Sequence, residues 1–228
     1  MVTVHACLAS QTLLGCWTFE EGAGTTTADL SGNGHTGSLG GTPKWDVGAK
    51  GRGLNFDTFD DFVDVGSRFF SAGVNQLTVS AWVNPTSFSN QGDIAVGGVS
   101  GPRIISTTDG GGWALGHAPG SGSIQLELRH IGLNLTLGTF FPLNQWSHVA
   151  VVYDGASVKT YLNGQPVDSR SAPAGTAQKA STCTFIGNEP EGCGRQTNGN
   201  FAWQGGIDEV AVYGHALAPE EVLALYQR

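Results

Sequence analysis

The chain has 228 residues, enough for one large β domain or two small ones. Charged residues make up only 13%, 35 residues are glycine, and the net charge is −8. That acidic field argues against nucleic acid and other polyanions as partners while leaving divalent cations and neutral glycans open. No run of about 18 apolar residues is present to cross a membrane as a helix.

In chain order, residues 13–20 form the first convincing strand. Residues 21–41 are punctuated by seven glycines and read as loop. Residues 53–57 and 62–65 alternate apolar and polar, the period of a half-buried strand. Residues 77–83 alternate too, with Leu77, Val79, Ala81 and Val83 on one face; Pro85 ends that run, because proline cannot donate to a ladder. Residues 104–106, 113–117, 124–130 and 133–138 read as successive antiparallel strands, and 146–153 as the strongest central one. Asp154-Gly155 and Asn163-Gly164 are hairpin turns, since such turns need positive φ, and they place strands at 158–162 and 165–169. A strand at 182–187 and a buried strand at 205–213 follow. Residues 219–226 form the one helix, with Pro219 at its first position and Glu220 and Glu221 at its positive end. About a dozen strands and one short helix describe a large two-sheet sandwich. No composition break marks a second domain, and residues 1–12 read as an arm or linker remnant before a domain at 13–228.

Four cysteines come as two close pairs, Cys7 with Cys16 and Cys183 with Cys193. The spacing suits two local disulfides among the three connectivities possible, and an oxidising compartment; the alternative is four reduced thiols. Residues 1–10 lack the basic start and apolar stretch of a signal peptide, so a secreted domain would have lost its export signal or been cut from a larger chain. Asn134-Leu135-Thr136 is a glycosylation triplet, a pattern common by chance.

Seven segments in order carry a family resemblance: residues 14–22 (LGCWTFEEG), 29–37 (DLSGNGHTG), 53–57 (GLNFD), 79–83 (VSAWV), 146–155 (WSHVAVVYDG), 161–164 (YLNG) and 207–213 (IDEVAVY). Together they resemble a laminin-G-like domain of the concanavalin A-like lectin/glucanase superfamily. The resemblance implies an all-β, concanavalin A-like jelly-roll sandwich of two antiparallel sheets with one short C-terminal helix. It also implies a secreted glycan-binding or adhesion module, with a structural calcium ion where the first strand, its following loop and the last strand meet. Carried over by position, the calcium ligands are Asp208, Asp29, Asn33 and Glu20, the last through its carbonyl. Asp208 stands out independently, because a carboxylate inside an apolar strand needs a partner. The competing reading is that Asp29 and Asn33 cap turns and that Asp208 accepts backbone amides.

An enzymatic role is disfavoured. Retaining glycanases need two carboxylates about 5–5.5 Å apart, and no same-face acid pair appears. The acids at positions 57, 60, 61 and 64 read as a turn, Glu189 and Glu191 as a loop, and Glu127 as isolated. No Gly-x-Ser-x-Gly elbow is present, and His148 reads as a packed core residue. For a ligand face the candidates are Trp113, Arg129 and His130, an aromatic ring with polar edges on neighbouring strands; the polar 191–201 loop is an alternative surface. Partners expected are a glycan or an extracellular protein ligand. The second reading is a structural, self-assembling protein of an extracellular filament or coat, a homo-oligomer.

Overall fold

The computed structural model describes residues 7–8, 10, 12–67, 74–89, 101–107, 112–177, 183–189 and 201–228. Cys193, the residues 191–200 singled out as a polar loop, and most of the 1–12 segment lie outside them. Sixteen strands are present among the described residues: β1 Leu13–Trp17, β2 Thr26–Thr27, β3 Gly37–Gly40, β4 Lys44–Val47, β5 Arg52–Phe56, β6 Phe62–Ser67, β7 Leu77–Pro85, β8 Arg103–Thr107, β9 Trp113–His117, β10 Ser123–Leu128, β11 Leu133–Phe140, β12 Ser147–Tyr153, β13 Ser157–Leu162, β14 Gln165–Ser171, β15 Cys183–Ile186 and β16 Gly205–Tyr213. A 3₁₀ turn covers Arg129–Ile131, and helix α1 spans Pro219–Gln227.

Two antiparallel sheets form a jelly-roll sandwich. One runs β14-β13-β12-β7-β16-β5-β4, with β1 also pairing β16; the other runs β11-β10-β9-β8-β15-β6-β3-β2. The alternation read in the sequence sets the faces. Leu77, Val79, Ala81 and Val83 of β7 point inward with Val149 and Val151 of β12, and meet Trp113, Leu115, Ile124 and Leu126 of the other sheet. Three short strands, β2 to β4, arise within or just after the glycine-rich stretch read as loop. They have two to four residues each, too few to show a period.

A second apolar cluster lies on the outer face of the first sheet. There α1 buries Val222 and Leu225 against Ala150, Val152, Tyr161, Ala211 and Tyr213. Cys7 and Cys16 are disulfide-bonded at its edge, with Cα atoms 6.2 Å apart. The Leu8 amide donates to the Tyr213 hydroxyl at 2.9 Å, and Arg228 donates to the Cys7 carbonyl at 3.2 Å. Cys183 is disulfide-bonded as well.

Candidate functional site: an acidic seam and a buried ion quartet

Strand β16 changes partner along its length. Gly205–Ile207 pair with β5, and Val210–Tyr213 pair with β1. At the changeover the ladder with β7 slips between Asp208 and Ala211, and Glu209 adopts a φ of 52°. Such a bulge redirects side chains locally. It brings Asp208 and Glu209 to the seam between β5 and β1, where β1 runs out through Phe19 (φ 53°) into Glu20.

The β4–β5 turn curls over this seam. The Lys50 amide donates to Asp208 Oδ2 at 3.0 Å, and the Arg52 amide donates to Glu20 Oε1 at 3.1 Å. Asp208 Oδ1 accepts the Glu209 amide at 2.8 Å. Gly48 and Gly51 make the approach feasible: a Cβ at Gly48 would lie 2.5 Å from Asp208 Oδ2, and one at Gly51 would lie 2.4 Å from Glu20 Oε1. Burial pushes Asp208 up to about 7, against the amides of Lys50 and Glu209, with the Glu20 charge adding to the rise. Glu209 is pushed up to about 8 by burial and by the charges of Asp208 and Glu20, with Lys50 opposing. The Glu209 carboxylate accepts no hydrogen bond from a described residue.

The expected set Asp208, Asp29, Asn33 and Glu20 divides in two. Asp208 and the Glu20 carboxylate are both engaged by amides of the β4–β5 turn. Asp29 and Asn33 are occupied elsewhere. Asp29 Oδ1 accepts the amides of Cys16 (3.1 Å) and Ser31 (2.9 Å); Oδ2 accepts the Ser31 hydroxyl (2.8 Å) and the His35 amide (3.0 Å). Burial opposes its ionised form, but the bonds from Ser31, His35 and Cys16 hold Asp29 below the usual carboxylate range. The Asn33 amide donates to the carbonyls of Leu13 (2.8 Å) and Leu14 (3.1 Å). These two residues fasten their loop to β1, the turn-capping role weighed from the sequence. Among the described residues no three His, Cys, Asp or Glu side chains already converge as a metal-binding group.

On the outer face of the second sheet, four charged side chains form a closed quartet that the sequence reading did not assemble. Arg103 is fully buried; it donates to Glu127 Oε1 (2.6 Å) and Glu189 Oε2 (3.1 Å). Arg129 donates to Glu127 Oε2 (3.1 Å), to both oxygens of Glu189 (2.6 and 2.7 Å) and to the Thr107 carbonyl (2.9 Å). Burial opposes its charge, yet the two glutamates outweigh it and raise the Arg129 pKa. Removing one partner from such a network leaves a buried charge uncompensated.

The ligand face expected from Trp113, Arg129 and His130 is not assembled. Trp113 stands opposite Leu128 in the β9–β10 ladder, but its ring is fully buried in the intersheet core, so it offers no stacking surface. Trp113 and Leu115 of β9 both face the intersheet core. Arg129 turns outward into the quartet, and His130 is exposed in the 3₁₀ turn beside it. His148 is packed, as expected: it is buried and bonded to the Ser80 hydroxyl at 2.8 Å.

A family model for the concanavalin A-like lectin/glucanases superfamily matches residues 57–223. The chain belongs to this superfamily. No protein in a set of curated sequences matches it significantly. Solved structures with the same fold include domain 4 of AbnA, a GH43 extracellular arabinanase from Geobacillus stearothermophilus, in complex with arabinotriose. It is 19% identical, with a TM-score of 0.66 over 95% of this chain and 98% of that one. The binding domain of Paraclostridial Mosquitocidal Protein 1 is 15% identical (TM-score 0.67, 94% and 52% covered). The binding domain of Botulinum Neurotoxin DC in complex with SialylT is 12% identical (TM-score 0.67, 95% and 51% covered). The chain therefore spans about half the length of the two toxin domains. Within the superfamily fold, Glu127 and Glu189 are the glutamates gathered on the outer face of the second sheet. Every one of their four oxygens accepts from an arginine.

Proposed function

We propose that this chain is a non-catalytic, carbohydrate-binding module of an extracellular protein, stabilised by a divalent cation at the β1/β5/β16 seam. The observation that carries the reading is the pairing of a superfamily scaffold with arginine-locked glutamates. The arabinotriose and SialylT complexes of proteins sharing the fold support a glycan as ligand. The Cys7–Cys16 bridge and the bonded Cys183 support an oxidising compartment. The exposed His130, beside the mostly buried Arg129, is the candidate ligand contact that remains.

The seam fits a hard cation. Among the described residues no side chain or amide donates to the Glu209 carboxylate or to Glu20 Oε2, and Asp208 is held by backbone amides. Calcium takes six to eight oxygens and tolerates irregular geometry, so Asp208, Glu20 and Glu209 would hold it together with turn carbonyls and water. When bound, the ion would supply positive charge to the Asp208 and Glu209 carboxyls, which burial disfavours as anions. A glycan array, with arabinan and sialylated oligosaccharides included, tests the ligand class: a specific hit is expected, weakened in His130→Ala. Release of reducing ends from any of these polysaccharides would overturn the non-catalytic reading. For the cation, chelation is expected to lower the melting temperature, with recovery on adding calcium. An unchanged melt of metal-stripped protein would sink it.

A further inference from the structure

At one end of the first sheet, strand register lines up Lys44, Asn55, Gly206 and Asn84 on the neighbouring strands β4, β5, β16 and β7. Leu54 and Phe56 flank Asn55, Val83 precedes Asn84, and all three are buried in the intersheet core, so the row faces outward. Trp146, the residue before β12, continues the row, since Ser147 stands opposite Val83. Its ring reaches across to Gly206, where a Cβ would lie 2.6 Å from Trp146 Cη2. Gly206 has no positive φ, so glycine here answers a need for room above the strand rather than for a turn. Trp146 and both asparagines are half-buried. Asn84 Oδ1 is buried with no hydrogen-bond partner, and no described residue bonds to the Asn55 side chain; a buried polar atom of this kind calls for one. The neighbouring Trp82 is already covered: Tyr226 stacks on it at 5.4 Å, and the Lys50 ammonium lies 5.0 Å from its centroid.

We propose that this row is a subsite for a neutral glycan, in which Trp146 stacks on the apolar face of one sugar ring and Asn84 and Asn55 bond hydroxyls on either side of Gly206. This rests on the carbohydrate-binding reading above, and it places a contact on the opposite sheet from His130. Each carboxamide offers an acceptor oxygen and two N–H donors, a match for hydroxyls, which also do both. Neighbouring strands lie about 4.8 Å apart, so two asparagines separated by β16 stand about 10 Å apart. That span suits a short oligosaccharide rather than an ion. The charge at the end of the row, Lys44, is answered by Asp57, which favours an uncharged ligand. Trp146 supplies apolar area and the asparagines supply orientation, the usual division of labour in a ligand cleft.

Titration of wild type, Asn84→Ala, Asn55→Ala, Trp146→Leu and His130→Ala on an array of neutral arabino-oligosaccharides and sialylated oligosaccharides tests this. Asn84→Ala and Asn55→Ala are each expected to weaken the neutral hit about tenfold, the size of one lost hydrogen bond, and Trp146→Leu to remove it. Neither asparagine side chain is bonded to a described residue, so both alanine variants should melt near wild type, which separates a lost contact from a lost fold. Where Trp146→Leu lowers the melting temperature, the asparagine pair decides. Full binding by both asparagine variants, with His130→Ala alone weakened, would overturn the subsite and leave the carbohydrate-binding reading standing. A hit confined to sialylated glycans would overturn the subsite too. A wild type that binds no glycan removes the carbohydrate-binding reading, and the subsite with it.

Discussion

His148 and His117 carry charge-sensitive stability that the binding chemistry does not use. Burial drives His148 down to about 3, with Lys50 adding to the fall, and its neighbours are Ser80, Trp82 and Tyr226. Burial likewise lowers His117 to about 4, where it packs between Phe88 and Trp203 with the Arg103 charge nearby. A histidine with a depressed folded pKa favours the fold while neutral. Its contribution is complete above the unfolded value near 6.5 and is lost as pH falls from there toward 4 and 3, at about 1.4 kcal/mol per unit. Urea unfolding at pH 7 and pH 4.5 is expected to show this loss for wild type and a smaller one for His148→Gln. Equal losses would mean that the imidazole accepts its proton without cost. At this scale the sequence was legible where cost alone decides. Asp208 in an apolar strand, and His148 in a central one, could be singled out as residues needing satisfied surroundings. Their partners were not legible, because the Lys50 amide and Glu20 are 158 and 188 positions from Asp208 along the chain, and only strand register brings them together. The quartet of Arg103, Glu127, Arg129 and Glu189 was hidden for the same reason: its members come together only when β8, β10 and the segment after β15 align.

The element that makes the seam is the four-residue turn between β4 and β5, closed by the Gly48 amide donating to the Gly51 carbonyl at 3.1 Å. A Cβ at Gly48 would lie 2.3 Å from the Arg52 carbonyl oxygen as well as against Asp208. Gly48→Ala is therefore expected to cost about 2–3 kcal/mol through overpacking, and to blunt any calcium-dependent shift in melting. Gly34→Ala is the control. Gly34 has a φ of 83° but open space around it, so its cost is limited to left-handed strain of about 1–2 kcal/mol and leaves the calcium response intact. Equal losses with equal calcium responses would show that the turn is not packed onto the seam. Long alternating elements such as β7 and β12 were readable because their inward residues repeat every second position. The turn and the short strands flanking it were hidden, since among the described residues β4 pairs with β5 alone and exposes most of its side chains.

At the scale of the molecule, the outer cluster joins segments from opposite ends of the described chain. Cys7, Leu13 and Cys16 share it with Leu217, Val222 and Leu225, and Arg228 reaches back to the Cys7 carbonyl. The helix needs this surface. Nine residues are too few to be stable alone in water, so α1 persists by burying Val222 and Leu225 on the sheet. The disulfide closes a short loop, and loss of such a bridge typically costs about 2–4 kcal/mol; Leu225→Ala is expected to cost roughly 2–4 kcal/mol by emptying its pocket. Because both act on one cluster, they should couple. Once Cys7→Ala/Cys16→Ala frees the N-terminal segment, the cluster is already loosened, and Leu225→Ala should then cost less than in wild type by more than about 0.5 kcal/mol. Denaturant unfolding of the two variants and their combination measures that difference. Strict additivity would separate the clasp from the helix, and would place the stabilising effect of the disulfide in the unfolded chain rather than in the packed cluster.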